Sequence, residues 1–524
     1  MKNLPVGEQS FEKLRKGDFV YVDKTPYIHR LLTTSAGYIF LSRPRRFGKS
    51  LLLSTIKALF EGKKELFKGL YVEGKMDWEI YPVIVLDMTL NSESPHTLKT
   101  GLSRLLQTIA ELNGVEIDDD PNSPSDMLGQ LVRRLYIKTG KQVVVLVDEY
   151  DKAILDKIDD LDLANEMRKV LYTFYGALKA SSDYLKLLVV TGITKISQTT
   201  IFSGFNNLND ISFDAQYAGI CGYTQQELEA YFPDYIQATA QANDTTKAET
   251  LAEVKLWYNG YSWDAETFVY NPYSVLLLFD KSRYKPFWYS SGTPTFLLKL
   301  LKTKDTLEKV LKESIRVTET FTEGQRIESL NSLALLFQAG YLTIHAFDRK
   351  EGYYYLQIPN EEVRTAISEL VLTDLTNEDL PALHDLGINM REAFAKGDTA
   401  AAMDNLDKLL SNITYDTQTT NKNEGFYHAL FQLAMILANI NHQSESHTGT
   451  GRTDSVLKFK DRVYVVEIKY AKTKEALSAS VKEAMSQIEA TGYAKPFLNQ
   501  KKRIHKLAIA FTKGDIAFQE EVSN

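Results

Sequence analysis

The stretch LSRPRRFGKSLLLSTIKALF, residues 41–60, leads from an apolar segment through a charged loop into a pattern where Leu52, Ile56 and Leu59 recur at helical spacing. Gly48-Lys49-Ser50 closes that loop as the motif G-x-x-x-x-G-K-[ST] requires. In such a loop backbone N–H groups cradle phosphates, the lysine reaches the β/γ-phosphates, the hydroxyl serves a magnesium ion, and the next helix turns its positive end toward them. Arg43 stands where the first glycine belongs. A glycine there lets the backbone turn tightly, so the arginine predicts a non-standard entry turn. Pro44 presets one backbone angle of that turn, and Arg45 or Arg46 can add positive charge beside the phosphates.

Outward from this loop the chain alternates buried-type strands with amphipathic helices. Tyr38 to Ser42, Pro82 to Asp87, Gln142 to Asp148 and Leu185 to Thr191 are continuous apolar runs, as parallel strands covered on both faces require. In KQVVVLVDEYDKAI, Asp148 closes such a strand about 100 residues after Lys49, and Glu149 follows it. An acid at that strand end can hold a magnesium shell, and its neighbour can polarise water. The expected nucleotide contacts are therefore Arg45, Arg46, Phe47, Gly48, Lys49, Ser50, Leu51, Asp148 and Thr191, with Ser50 and Asp148 toward magnesium and Glu149 as catalytic acid/base. Thr191 reads either as a hydroxyl near the γ-phosphate or as the strand end before Gly192, with Lys195 a second cation nearby. Asp23, Lys24 and Thr25 read equally as a base-binding segment or as the cap of a helix.

A second constellation lies in HTGTGRTDSVLKFKDRVYVVEIKYAKTKEAL, residues 447–477, where Asp454 precedes Glu467 by thirteen positions and Lys469 follows two later. Period-two alternation puts Glu467 and Lys469 on one face of a strand, and Asp454 can meet them if the preceding strand begins there. Two carboxylates and an ammonium in one space suit a magnesium-assisted attack on a phosphodiester. The expected surroundings are a helix from Glu424 to Ile440, strands 454–459 and 462–469, a helix from Glu475 to Tyr493 and a strand from His505 to Phe511. HQSESHTGTG, residues 442–451, reads as a loop carrying His442 and His447.

The bulk numbers narrow the class. A chain of 524 residues with 44% hydrophobic and 25% charged residues is globular and long enough for several domains. The single cysteine, Cys221, excludes a disulfide framework and a multi-cysteine zinc site, and with an N-terminus lacking an apolar signal core it points to the cytoplasm. The longest apolar runs are too short to span a bilayer, so no membrane role is expected. The net charge of −7 argues against coating nucleic acid by bulk electrostatics. Residues 395–524 are nonetheless mildly basic, with 17 Lys and Arg against 15 Asp and Glu and a cluster at Lys501, Lys502, Arg503 and Lys506. That cluster reads as a solvated face before it reads as a binding patch.

The set FVYVDKTPYI, FLSRPRRFGKSLLLST, VVVLVDEYDKAI, GITKIS with IFSGFNNLNDIS, WYNGYSW and VYNPYS closely resembles the AAA-ATPase-like proteins of gut Bacteroidales and other anaerobes. The resemblance covers nearly the whole chain. It implies that R-P-R-R-F-G-K-S is the family form of the loop, and it joins the ATPase to a C-terminal core similar to the PD-(D/E)xK nucleases. For that core it further implies an acid at Glu424 toward the metal and a polar catalytic residue at Gln487 beside Asp454, Glu467 and Lys469. The expected architecture is α/β and multidomain: a P-loop parallel sheet in residues 1–223, a helical middle region with room for a winged-helix module in 224–390, and a restriction-endonuclease-like core in 391–524. The expected function is ATP binding and hydrolysis coupled to a magnesium-dependent nuclease acting on nucleic acid, DNA more than RNA, in defence or mobile-element biology, with oligomerisation compatible. The alternatives are a nucleotide-dependent switch or scaffold whose nuclease fold only binds, and a kinase that would leave the C-terminal third unemployed.

Overall fold

The computed structural model describes residues 1–34, 37–196, 201–202, 208–288, 300–301, 304–323, 331–411, 413, 424–448, 451–491, 497 and 502–523. Residues 203–207 of the SGFNN motif and Lys501 lie outside them. The architecture is α/β and multidomain, in two compact units. Met1–Phe296 with Arg316–Asn360 forms one, and Leu297–Ile315 with Glu361–Asn524 the other.

The first unit is built on five strands: β1 (Tyr38–Ser42), β2 (Val83–Asp87), β3 (Val143–Asp148), β4 (Leu185–Gly192) and the short β5 (Asn209–Asp210). Their order is β2-β3-β4-β1-β5, and every pairing is parallel. All six residues of β3 are buried, and β1 and β4 nearly so, which accounts for their unbroken apolar runs. Two of the crossover helices start on side-chain caps: Ser94 and Thr97 form a capping box for Pro95–Leu112, and Asp160 caps Leu161–Ala180. Because all strands run the same way, Ser42, Asp148 and Thr191 reach one edge of the sheet together.

Beyond the sheet, β6 (Tyr223–Thr224) pairs with β7 (Val269–Tyr270), and helices at Gln225–Tyr231, Pro233–Ala242, Lys247–Tyr258 and Pro272–Lys281 surround them. Leu228, Phe232, Ile236, Val254, Tyr258 and Phe279 share one apolar core there with Val20 and Val22. A helix at Ser332–Ala339 then leads into an antiparallel hairpin, β9 (Thr343–Asp348) and β10 (Tyr353–Gln357), turning at Asp348–Gly352. With β8 (Ile315–Thr318) it makes a three-stranded sheet of order β8-β10-β9.

The second unit continues through helices at Glu361–Thr376, Leu380–Lys396, Thr399–Ser411 and Glu424–Leu437 into a mixed sheet. Its strands are β11 (His442–Thr448), β12 (Gly451–Lys458), β13 (Arg462–Tyr470), β14 (Arg503–Thr512) and β15 (Asp515–Ser523), paired in chain order. Only β13 and β14 are parallel, joined by the helix Leu477–Thr491. Val481, Ala484, Met485 and Ile488 of that helix pack on Val465, Ile504, Ala508 and Ala510. The histidine-bearing stretch expected as a loop is instead the strand β11, with His447 opposite Arg452. β15 is a further strand that the sequence reading did not name. Both are edge strands, where backbone pairing with one neighbour suffices and the apolar alternation that marks interior strands is not needed.

Candidate nucleotide and metal sites

The P-loop connects β1 to the helix Lys49–Phe60 and turns through left-handed backbone at Arg46, φ 66°, and Gly48, φ 97°. The residue replacing the first motif glycine has no positive φ, so the tight turn expected at Arg43 falls three residues later. Arg43 is instead fully buried. Its guanidinium donates to the carbonyls of Ser42 and Ser212, each at 2.8 Å, and to that of Tyr217 at 3.3 Å, and lies 3.9 Å from the Trp263 ring centroid. Burial pulls its pKa down to about 10, so it stays charged. Phe47 points into the same layer, edge-on to Tyr261 and Trp263 at 4.8 and 5.7 Å. Tyr261 and Trp263 of WYNGYSW are thus the floor on which the loop rests.

Lys49 is buried and donates to the carbonyls of Arg43 and Pro44, both at 2.9 Å. Burial lowers its pKa, opposed by Asp148 and Glu149. Asp148, at the end of β3, accepts the Thr191 hydroxyl at 2.7 Å and the Glu149 N–H at 3.1 Å on Oδ1. Thr191 is fully buried, so its hydroxyl orients Asp148 from the neighbouring strand. Glu149 sits in left-handed backbone, φ 54°, and its pKa is raised by burial, with Lys49 opposing.

The turn at Glu149 is held by the two residues after it. Tyr150 donates to the carbonyls of Thr194 and Ile196, each at 3.1 Å. The fully buried Asp151 accepts the N–H groups of Ile193 and Thr194 and the Thr194 hydroxyl, the last two at 2.7 Å. Each of the four residues of DEYD therefore has its own task, which a reading that stops at Asp148 and Glu149 does not reveal. The buried Asp–Tyr pair after an apolar strand was the signal available.

Arg45, Arg46, Lys49, Ser50, Glu149 and Tyr273 line a cleft of ≈ 370 Å³, together with Gly48 and Leu51. A small apolar recess of ≈ 60 Å³ adjoins it through Gly48, Leu51, Tyr223 and Pro272, and Phe47, Val22 and Lys24 line that recess. Lys24 is bound there to Glu227 and the Gly219 carbonyl. Asp23 accepts the Thr25 N–H and hydroxyl at 2.8 and 2.6 Å, so it caps the helix Thr25–Thr34. Lys195 pairs with Asp210 at 2.6 Å.

In the second unit β12 and β13 pair from Ser455–Val466 onward, and at Asp454 the ladder gives way to a side chain. Asp454 Oδ2 accepts the Ile468 N–H at 2.8 Å, while His428 Nε2 lies 2.9 Å from the Asp454 carbonyl oxygen. A carbonyl can only accept, so His428 carries its proton on Nε2. Lys469 Nζ stands 3.3 Å from Glu424 Oε1 and 3.5 Å from Glu467 Oε1. Glu424, His428 and Gln432 follow at four-residue spacing on one helix face. The structure thus brings Glu424, Asp454, Glu467 and Lys469 together. Gln487 is half-buried on Leu477–Thr491, and among the described residues no hydrogen bond or ion pair joins its side chain to the other four. His428 was not among the expected residues; its place one turn after Glu424 was the available clue.

Glu467 is 1% exposed, and its Oε2 has no hydrogen-bond partner among the described residues. Burial and then the Asp454 charge push its carboxyl up to about 8, with Lys469 opposing. Asp454 is also raised, by burial, eased by His428 and the Ile468 N–H. Two carboxyls whose charged forms burial disfavours in one pocket are short of a cation. Hard carboxylate oxygens suit magnesium, which needs only one or two of them beside its waters. Among the described residues no group of three or more His, Cys, Asp and Glu side chains is placed to hold a metal ion, so a cation here would rest on Asp454 and Glu467. The basic cluster lies at the start of β14, alongside Arg462 and remote along the strands from Lys469. There Lys506 pairs with Glu489 and Glu521, and Lys502 donates to the Phe459 carbonyl. Among the described residues no helix is long and apolar enough to cross a membrane.

Residues 5–202 match a family described as a predicted AAA-ATPase, and residues 422–521 match the PD-(D/E)XK nuclease superfamily. A relative from Azotobacter chroococcum mcd 1, described as an uncharacterized protein in the vnfD 5′ region, is 33% identical over 520 residues, 98% of this chain and 97% of its own. A solved structure of the Aeropyrum pernix ORC2 protein in ADPNP–ADP complexes aligns over 80% of this chain and 85% of its own at 14% identity, with a TM-score of 0.24 that carries no argument about fold. On the near-full-length relative and the two family matches, the chain belongs to the family of predicted AAA-ATPases that carry a PD-(D/E)XK nuclease-superfamily domain toward the C-terminus.

Proposed function

We propose that the first unit binds and hydrolyses ATP and that the second is a magnesium-dependent phosphodiesterase acting on nucleic acid, DNA in preference to RNA. The observation that carries this reading is the buried Glu467 carboxyl, unsatisfied on one oxygen and flanked by Asp454 and Lys469. A structural hairpin has no use for such a group, whose burial with one oxygen unpartnered is costly.

In the nucleotide cleft Lys49 would leave the Arg43 and Pro44 carbonyls for the phosphates, and Ser50 with Asp148 would hold a magnesium ion that offsets phosphate charge. Thr191 keeps Asp148 oriented. Glu149, its pKa raised by burial, would take the proton of the attacking water as the terminal phosphoryl bond breaks, giving ADP and phosphate. In the second unit Asp454 and Glu467 would hold a magnesium ion that lowers the pKa of a bound water and offsets the charge of the scissile phosphate, while Glu424 at the edge is paired with Lys469. Lys469 positions the water or meets the developing charge, and His428 fixes the backbone from which Asp454 projects. A role in defence or mobile-element biology belongs to the same proposal and rests on the pairing of the two domains; cytoplasmic location rests on the single cysteine, and oligomeric assembly is compatible with it.

Lys49→Ala tests the first half directly. Loss of ATP binding by fluorescence titration of the full chain is expected; unchanged affinity overturns it.

A further inference from the structure

Three arginines occupy the P-loop, and the structure separates them. Arg43 is spent on the Ser212 and Tyr217 carbonyls beneath the loop, whereas Arg45 and Arg46 line the cleft. Arg46 is exposed and holds left-handed backbone, φ 66°. Glycine enters that conformation freely and other side chains do so at a cost, a kind of strain that collects at functional sites. Its guanidinium lies 4.8 Å from the ring centroid of Tyr273, at the start of the helix Pro272–Lys281. Asn271 caps that helix by accepting the N–H groups of Tyr273 and Ser274. The platform is therefore fixed by the NPYS segment, a motif so far without a task.

Other charges at the cleft have partners of their own: Lys49 donates to the Arg43 and Pro44 carbonyls, and Arg45 acts on Glu149 and opposes its raised pKa. Lys152 pairs with Asp156 at 2.7 Å, and Glu8 accepts the Gln9 and Ser10 N–H groups. Among the described residues Arg46 makes no ion pair, so it is a held cation awaiting an anion. Glu149 shares the cleft with it.

We infer that Arg46, held over Tyr273, is a catalytic residue that meets the terminal phosphoryl group of the bound nucleotide in cis, so that hydrolysis needs no arginine from a neighbouring subunit. The inference rests on the ATPase reading above. In the step concerned, water oxygen bonds to the terminal phosphorus as the bridging P–O bond breaks toward ADP. The water proton passes to Glu149, and Arg46 offsets the charge on the transferring group. Arg46 is a planar donor that can follow the phosphoryl oxygens as their charge grows, which a single ammonium at Lys49 does less well.

The left-handed backbone supplies a clean probe, because Arg46→Gly removes the guanidinium while relieving the backbone. Full-length wild type, R46G, R46K, Y273A and Y273F would be compared for melting temperature, affinity for a fluorescent ATP analogue and single-turnover ATP hydrolysis over a range of protein concentrations. R46G should melt no lower than wild type, keep affinity within about tenfold, and hydrolyse at least about 100-fold more slowly. R46K should recover part of the loss, Y273A should fall between, and Y273F should match wild type. The wild-type rate per chain should not depend on protein concentration. R46G hydrolysing within twofold of wild type overturns the inference. So does a rate that rises with concentration and returns when R46G is mixed with Lys49→Ala protein. Wild type that binds no nucleotide, or binds without hydrolysing, removes the ATPase reading first and the inference with it.

Discussion

The Arg43 guanidinium lies 3.9 Å from the ring centroid of Trp263, across 220 positions of sequence, and this contact decides what the departure from the P-loop motif means. The arginine replaces a glycine in the motif but not in geometry: it pins the loop from below while the left-handed turn moves to Arg46 and Gly48. Restoring the motif by Arg43→Gly should therefore harm the protein. It strips donors from the Ser212 and Tyr217 carbonyls and leaves a cavity beside Trp263, at a cost of about 3 kcal/mol or more. Denaturant unfolding followed by tryptophan fluorescence would measure it, and ATP affinity should fall in parallel.

Thr191 and Asp148 form a second such pair, with the hydroxyl 2.7 Å from Oδ1. Thr191→Val keeps the shape and removes the donor. We expect a loss of about 1 kcal/mol in stability and a fall of about tenfold or more in magnesium affinity of the nucleotide complex, read from the magnesium dependence of single-turnover hydrolysis.

The pH behaviour of the second unit follows from Glu467. Its carboxyl rises from an ordinary 4.5 to about 8 in the folded chain. A group with a raised folded pKa stabilises the fold fully below its unfolded pKa, and that contribution is lost as pH climbs through the folded value. The metal-free second unit should therefore lose stability from about pH 4.5 to about pH 8. Glu467→Gln, which resembles the protonated acid, should flatten that slope. Calorimetric scans in chelator across this range would show it, and adding Mg²⁺ to wild type should release a proton.

Much of both sites was legible because their chemistry sits on strands buried on both faces. Val143–Val147 and Val463–Val466 carry no charged residue and are followed directly by an acid, so Asp148 and Glu467 stand out against the apolar run. The residues that hold the two sites in place were harder to see. Thr191, Asp151 and His428 act through hydrogen bonds whose other ends lie 26 to 43 positions away, and no local pattern encodes that distance. The role of Arg43 depends on Ser212, Tyr217 and Trp263, which come together only in the fold. β11 and β15 escaped notice because an edge strand can be polar throughout and still pair by its backbone.

The most direct test of the account is a cleavage assay with the full chain on DNA and RNA, single- and double-stranded, in Mg²⁺ or Mn²⁺, with and without ATP, beside Asp454→Ala, Lys469→Ala and Lys49→Ala. The account predicts metal-dependent cleavage, stronger on DNA, that Asp454→Ala and Lys469→Ala each reduce by at least about 1,000-fold while ATP hydrolysis persists. Wild type inert on every substrate under all these conditions, or Asp454→Ala cutting as well as wild type, would contradict it.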